Sequence, residues 1–154
     1  MWFITLLLML SLTENRCFGC SCYPQDPLPV AFCKSSFVIK AKPVKVALNP
    51  PIEGDVYSSG FNPWIKRIYD VNVIEVFKTP DNVHLKPGDV IQAITDHMDS
   101  LCGGYLELDT EQLILGGVND DGQITFDACS HTEPNGVTPS QLAGMRKDYL
   151  TMCY

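Results

Sequence analysis

Six of the seven cysteines in this 154-residue chain fall into two remote groups, and that arrangement constrains the fold more than any other feature. Cys20, Cys22 and Cys33 lie early; Cys102, Cys129 and Cys153 lie late. Bridges between the groups close long loops, and in the chain-entropy picture each contributes about 4 kcal/mol by restricting the unfolded state. The length predicts one domain. Six cysteines allow many pairings, and their spacing does not choose among them.

The seventh cysteine, Cys17, belongs to a different kind of segment. Trp2 to Leu12 is an apolar run too short to span a bilayer. Thr13-Glu14-Asn15-Arg16 follows, and small residues at Cys17 and Gly19 suit a signal-peptidase site. Residues 1–19 are therefore expected to be a signal peptide and residues 20–153 the mature domain. Removing Cys17 leaves an even set of cysteines in a chain bound for an oxidising compartment. The formal charge of −7 survives the cut, because Glu14 and Arg16 leave together. An acidic chain is a poor partner for nucleic acid or anionic membrane. No asparagine stands in a glycosylation sequon, and no second apolar stretch is long enough to span a membrane. The expected product is secreted and extracellular.

Tyr23 to Pro29 carries three prolines in seven residues and is predicted to be a stiff extended arm. Val30 to Ser35 is predicted to form a short helix carrying Cys33 inward. Phe37 to Val46 reads as a strand, with Pro43 marking an edge or a bulge. Leu48 to Pro63 reads as a long loop. Ile65 to Phe77 is close to strict alternation, with Tyr69, Val71, Val73 and Val76 on one face. Lys86-Pro87-Gly88-Asp89 turns into a strand at Val90 to Ile94. Gly104 to Leu108 and Gln112 to Leu115 suggest a hairpin, and Asn119 to Gly122 a turn into Gln123 to Phe126. From Pro139, Leu142, Met145, Tyr149 and Met152 recur at helical spacing, with Thr138 or Ser140 as the cap. The inventory is mainly β: five to six strands with a short N-terminal and a C-terminal helix. It suits a partly open Greek-key barrel of the OB type.

Catalytic constellations are missing from the sequence. The three histidines, His84, His97 and His131, are scattered, and there is no zinc-binding helix, nucleophile elbow or phosphate loop. Asp96, His97, Asp99 and Cys102 make a weak metal cluster that a disulfide at Cys102 would dissolve. The expectation is a protein that is not an enzyme and has no cofactor of its own. The informative chemistry is at Cys20. If cleavage falls after Gly19, its free α-amino group and its carbonyl sit side by side, able to form a five-membered chelate on a metal ion.

Cys20-Ser21-Cys22-Tyr23-Pro24 followed by Ala31-Phe32-Cys33 resembles the start of the tissue inhibitors of metalloproteinases. The resemblance continues in Phe37 to Lys42, Asn62 to Ile68, Val76-Phe77-Lys78 and Leu101-Cys102-Gly103, and spans the mature chain. It implies a netrin-like OB barrel with disulfides Cys20–Cys102, Cys22–Cys129 and Cys33–Cys153. It also implies a secreted inhibitor of zinc metalloendopeptidases, a monomer binding one protease. Cys20 would chelate the target's catalytic zinc and displace the water used for hydrolysis. The amine must be neutral to do so, which α-amino pKa values of about 7.7–8.0 allow. Ser21 would sit at the mouth of the specificity pocket, with Cys22 and Tyr23 further along the cleft. Asp99, Ser100 and Leu101 would line neighbouring subsites. Tyr23 and Asp99 depart from the small residues usual in the family, which is expected to narrow the range of proteases. The family's second disulfide-bonded domain has no counterpart before the end at Tyr154, so its interactions are expected to be missing. The alternative is a netrin-like extracellular binding module without inhibitory activity.

Overall fold

The structure is a computed structural model, and it describes residues 20, 22, 26–50, 64–98, 101–130, 132–133 and 137–153. The predicted signal peptide, and the predicted contact residues Ser21, Tyr23, Asp99 and Ser100, lie outside the described residues. The elements run α1 (Leu28–Lys34), β1 (Phe37–Asn49), β2 (Lys66–Lys78), β3 (Val90–Asp96), β4 (Gln112–Val118), β5 (Ile124–Thr125), β6 (Thr132–Glu133), α2 (Pro139–Lys147) and α3 (Tyr149–Met152).

The strands pair in the order β1-β2-β3-β5-β4-β6, and β4 also pairs with β1. That extra pairing closes five strands into a ring, antiparallel except for the β3–β5 contact. This is the OB-type barrel expected. The length of β1 makes closure possible. In its first half Val38 to Ala41 pairs with both β2 and β4, while Pro43 to Asn49 extends along β2 past the last β4 partner. Pro43 falls beyond that last partner, beside a register shift between Pro43 and Lys45, so its missing N–H costs no bond to β4.

Two cores result, one on each side of the barrel wall. Phe37, Ile39, Tyr69, Val71, Ile114 and Phe126 are among the side chains filling the barrel. Val38, Leu113 and Leu115 point the other way and pack with Leu28, Phe32, Phe77 and Met145 beneath the helices. Hence Phe37-Val38-Ile39 and Leu113-Ile114-Leu115 are continuous apolar runs: both faces of those strands are covered. A register shift opposite Lys40 and Ala41 adds one residue to β2. Because of that bulge Val73 and Val76, three positions apart, both pack on the barrel cluster while Phe77 joins the other.

Four expectations are corrected. The helix begins at Leu28, not Val30, so the proline-rich arm does not reach Pro29. Pro27 caps the helix and Pro29 falls in its first turn, where a missing N–H leaves no bond unmade. Strand β1 runs to Asn49, into the predicted loop. Gly104 to Leu108 is not a strand paired with β4. The turn is there, with Asp109 at φ 61° and Gln112 Nε2 donating to the Glu107 carbonyl at 2.8 Å. But β1 takes one edge of β4, and β5 and β6 pair along the rest, so no edge is left for a local partner. Finally, the helical spacing from Leu142 to Met152 is not one helix: α2 ends before Asp148 and α3 follows it, with Met152 62% exposed while Met145 is buried.

Thr138 does cap α2, in a full capping box. Its hydroxyl accepts from the Gln141 amide, and the Gln141 side chain accepts from the Thr138 amide at 2.8 Å. Across the barrel, Arg146 of α2 grips Glu75 of β2 with two bonds, of 2.6 and 2.8 Å.

Candidate functional site: the cysteine-pinned N-terminus

Three disulfides close, Cys20–Cys102, Cys22–Cys129 and Cys33–Cys153, with Cα separations of 5.3, 5.0 and 5.1 Å. They are the pairs that the family resemblance implies. Cys33–Cys153 ties α1 to the C-terminal helices, beside an edge-to-face contact of Phe32 and Tyr149 at 5.5 Å. Lys78 closes the same corner by donating to the carbonyls of Phe32 and Cys33, both at 3.1 Å. Burial of that ammonium pushes its pKa down.

The other two bridges hold the segment at Cys20 and Cys22. Cys20 and Cys22, two residues apart, are bonded to two loops more than twenty residues apart in sequence: the one after β3 and the one after β5. Those loops are themselves joined. The Ala128 amide donates to the Cys102 carbonyl at 2.8 Å, and Gly103 and Asp127 form a bridge. The N-terminal strip is thus fastened at alternate residues to one continuous base.

Each loop is shaped by its own sequence. In the first, the Leu101 and Gly103 amides both donate to the Met98 carbonyl at 3.0 Å, and Cys102 sits at φ 64°, a region a side chain rarely adopts. Gly103 is required by close approach, since a Cβ there would lie 2.2 Å from the Asp96 carbonyl oxygen. The amide of Gly104 donates to the buried Thr95 hydroxyl at 2.7 Å. Arg67 donates to the Gly104 carbonyl at 2.8 Å and to the His97 carbonyl at 3.0 Å. In the second loop, Asp127 Oδ1 accepts from the amides of Cys129 at 2.9 Å and Ser130 at 2.7 Å, an Asx turn that presents Cys129.

Of the predicted contact residues, Cys20, Cys22 and Leu101 are described. Leu101 is half-buried in the same tight turn as Cys102. Among the described residues no group of three or more His, Cys, Asp or Glu is placed to hold a metal ion. Asp96 pairs with Lys66, Cys102 is bridged, and the buried His97 Nδ1 has no hydrogen-bond partner. His97 serves the loop through its carbonyl. Thr95, Asp127, Ala128 and the grip of Arg67 were not foreseen from sequence. The only signal available was Arg67's place in the segment that resembles the family.

A closed OB-type barrel with Cys20 and Cys22 bridged to two adjoining loops defines a class of small disulfide-pinned domains. Within that class the assignment is specific: the chain belongs to the tissue inhibitor of metalloproteinase family, whose sequence profile matches residues 19–154. It is 33% identical over 131 residues to metalloproteinase inhibitor 2 of the dog, Canis lupus familiaris, a match covering 83% of this chain and 54% of that protein. The chain thus spans about half the length of that relative.

Proposed function

We propose that this protein inhibits zinc metalloendopeptidases by presenting Cys20 as a ready-made bidentate ligand. Secretion removes residues 1–19 and frees the α-amino group. The neutral amine and the carbonyl oxygen of Cys20 then occupy the coordination positions that the target's zinc uses for water and substrate. Ser21 enters the mouth of the specificity pocket, and Cys22 and Tyr23 follow the cleft. Asp99, Ser100 and Leu101 lie along the adjoining subsites. The protein supplies no metal and performs no catalysis; it acts outside the cell as a monomer in a one-to-one complex.

One observation carries this reading: Cys20 and Cys22 are bonded to two loops that are hydrogen-bonded to each other through Cys102 and Ala128. A strip held that way has little conformational entropy left to lose on entering a cleft. The family membership and the relative named as an inhibitor support the same reading. It is tested by sequencing the N-terminus of the secreted protein and titrating it against matrix-type, disintegrin-type and astacin-like metalloproteases. A start at Cys20 with stoichiometric inhibition is expected. A start at Cys20 with no inhibition of any of them favours a non-inhibitory binding module.

A further inference from the structure

We propose that Arg67 is the positioning residue of the N-terminal wedge, acting through the Cys20–Cys102 bridge; this rests on the inhibitory reading above. Arg67 lies on β2, directly across from Thr95 on β3. The pair takes hold of Gly104 by both its polar backbone groups, Thr95 accepting from the amide and Arg67 donating to the carbonyl. The second arm of the guanidinium reaches the His97 carbonyl. His97 and Gly104 flank the span 98–103 on either side, and Cys102 is in it. One planar fork therefore sets the distance between the two ends of the segment to which Cys20 is bonded.

Both acceptors are neutral carbonyls, so the grip is directional rather than a charge pair, and it needs two donors at a fixed separation. A lysine on the same strand offers one compact ammonium and cannot define that separation. The guanidinium lies over the exposed ring of Tyr105, its central carbon 6.0 Å from the ring centre. Inside the span, Met98 gathers the amides of Leu101 and Gly103, and Cys102 is held in the left-handed region. Cys102, held in that region, needs its flanks fixed, and releasing the grip on them relaxes Cys102 and moves Cys20 with it.

The test uses the full secreted protein as Arg67→Lys and Arg67→Met, with all three bridges verified by mass spectrometry. Carbon-13 at the Cys20 carbonyl reports the wedge by NMR, and the methyl signals of Ile39 and Val71 report the barrel. In both variants the Cys20 signal is expected to shift or broaden while the barrel methyls stay in place. The inhibition constant is expected to rise at least ten-fold against every protease that the parent inhibits, with lysine no better than methionine. An unmoved Cys20 signal overturns the proposal, and so does a loss that lysine rescues. Displaced barrel methyls also overturn it, because they mark a general structural role. Should the methionine variant fail to fold, the lysine variant decides alone. A parent protein that inhibits nothing defeats the inhibitory reading instead, and the Cys20 signal still decides whether Arg67 holds the wedge.

Discussion

The carbonyl oxygen of Cys102 accepts a hydrogen bond from the amide of Ala128 at 2.8 Å, which joins the two loops that carry the bridges to Cys20 and Cys22. Together with the Gly103–Asp127 bridge, this bond gives the disulfides of Cys20 and Cys22 one shared support. Whatever loosens either loop therefore loosens the strip bonded to it.

Gly103 stands where the first loop comes closest to β3. A Cβ there would lie 2.2 Å from the Asp96 carbonyl oxygen and 3.0 Å from that of Met98, both backbone atoms that cannot swing aside. Gly103→Ala is expected to cost about 2 kcal/mol in urea unfolding, within the usual range for overpacking. It is also expected to weaken inhibition more than an equally destabilising change in the core.

Asp127 organises the second loop by accepting two amide hydrogen bonds at Cys129 and Ser130. Asp127→Ala is expected to lose about 1.5–3 kcal/mol of stability, the ordinary worth of a hydrogen bond to a charged acceptor. Asp127→Asn keeps an oxygen for the turn and is expected to recover more than half of that loss. Equal melting temperatures for all three proteins would contradict the Asx-turn account.

The capping box of α2 makes a separate prediction about the helical corner. Thr138→Ala removes the acceptor for the Gln141 amide, with an expected cost of about 1 kcal/mol. Because α2 supplies Met145 to the outer core and not to the N-terminal strip, inhibition by the folded fraction is expected to stay unchanged.

Acid should weaken the fold through Glu75. The hydrogen bonds from Arg146 hold the Glu75 carboxyl below its ordinary 4.5 against the opposing effect of burial, and the charges of Arg146 and Lys40 add smaller pulls in the same direction. The unfolded chain therefore takes up a proton first. The stabilisation is present in full above pH 4.5 and is lost as the pH falls through the folded value beneath it. Melting temperatures of the parent and of Arg146→Met should differ at pH 6 and converge toward pH 3. A gap that persists unchanged at pH 3 would rule out the ion pair as its source.

The barrel was legible in the sequence because period-2 alternation and turn residues are local signals. Phe37 onward, Ile65 to Phe77 and the Asn119–Gly122 turn announce themselves without knowledge of their partners. The hairpin expected at Gly104 to Leu115 failed because β1, far earlier in the chain, takes one edge of β4, and β5 and β6, which follow it, pair along the rest. The site divides the same way. Cys20 and Cys22 are visible because cysteine spacing is distinctive. The Cys102–Ala128 bond and the carbonyls gripped by Arg67 are backbone groups that every residue carries, so no residue type marks them. Glu75 and Arg146 meet only because the barrel and helix α2 bring positions 71 residues apart together.

The central claim is that the α-amino group of Cys20 is itself the ligand, and adding a single alanine before Cys20 tests it most directly. The extension leaves all six bridging cysteines and the barrel in place while removing the free amine from the chelating position. The account predicts unchanged disulfides and melting temperature, with inhibition of every susceptible metalloprotease reduced at least a hundred-fold. Full inhibition by the extended protein would contradict it.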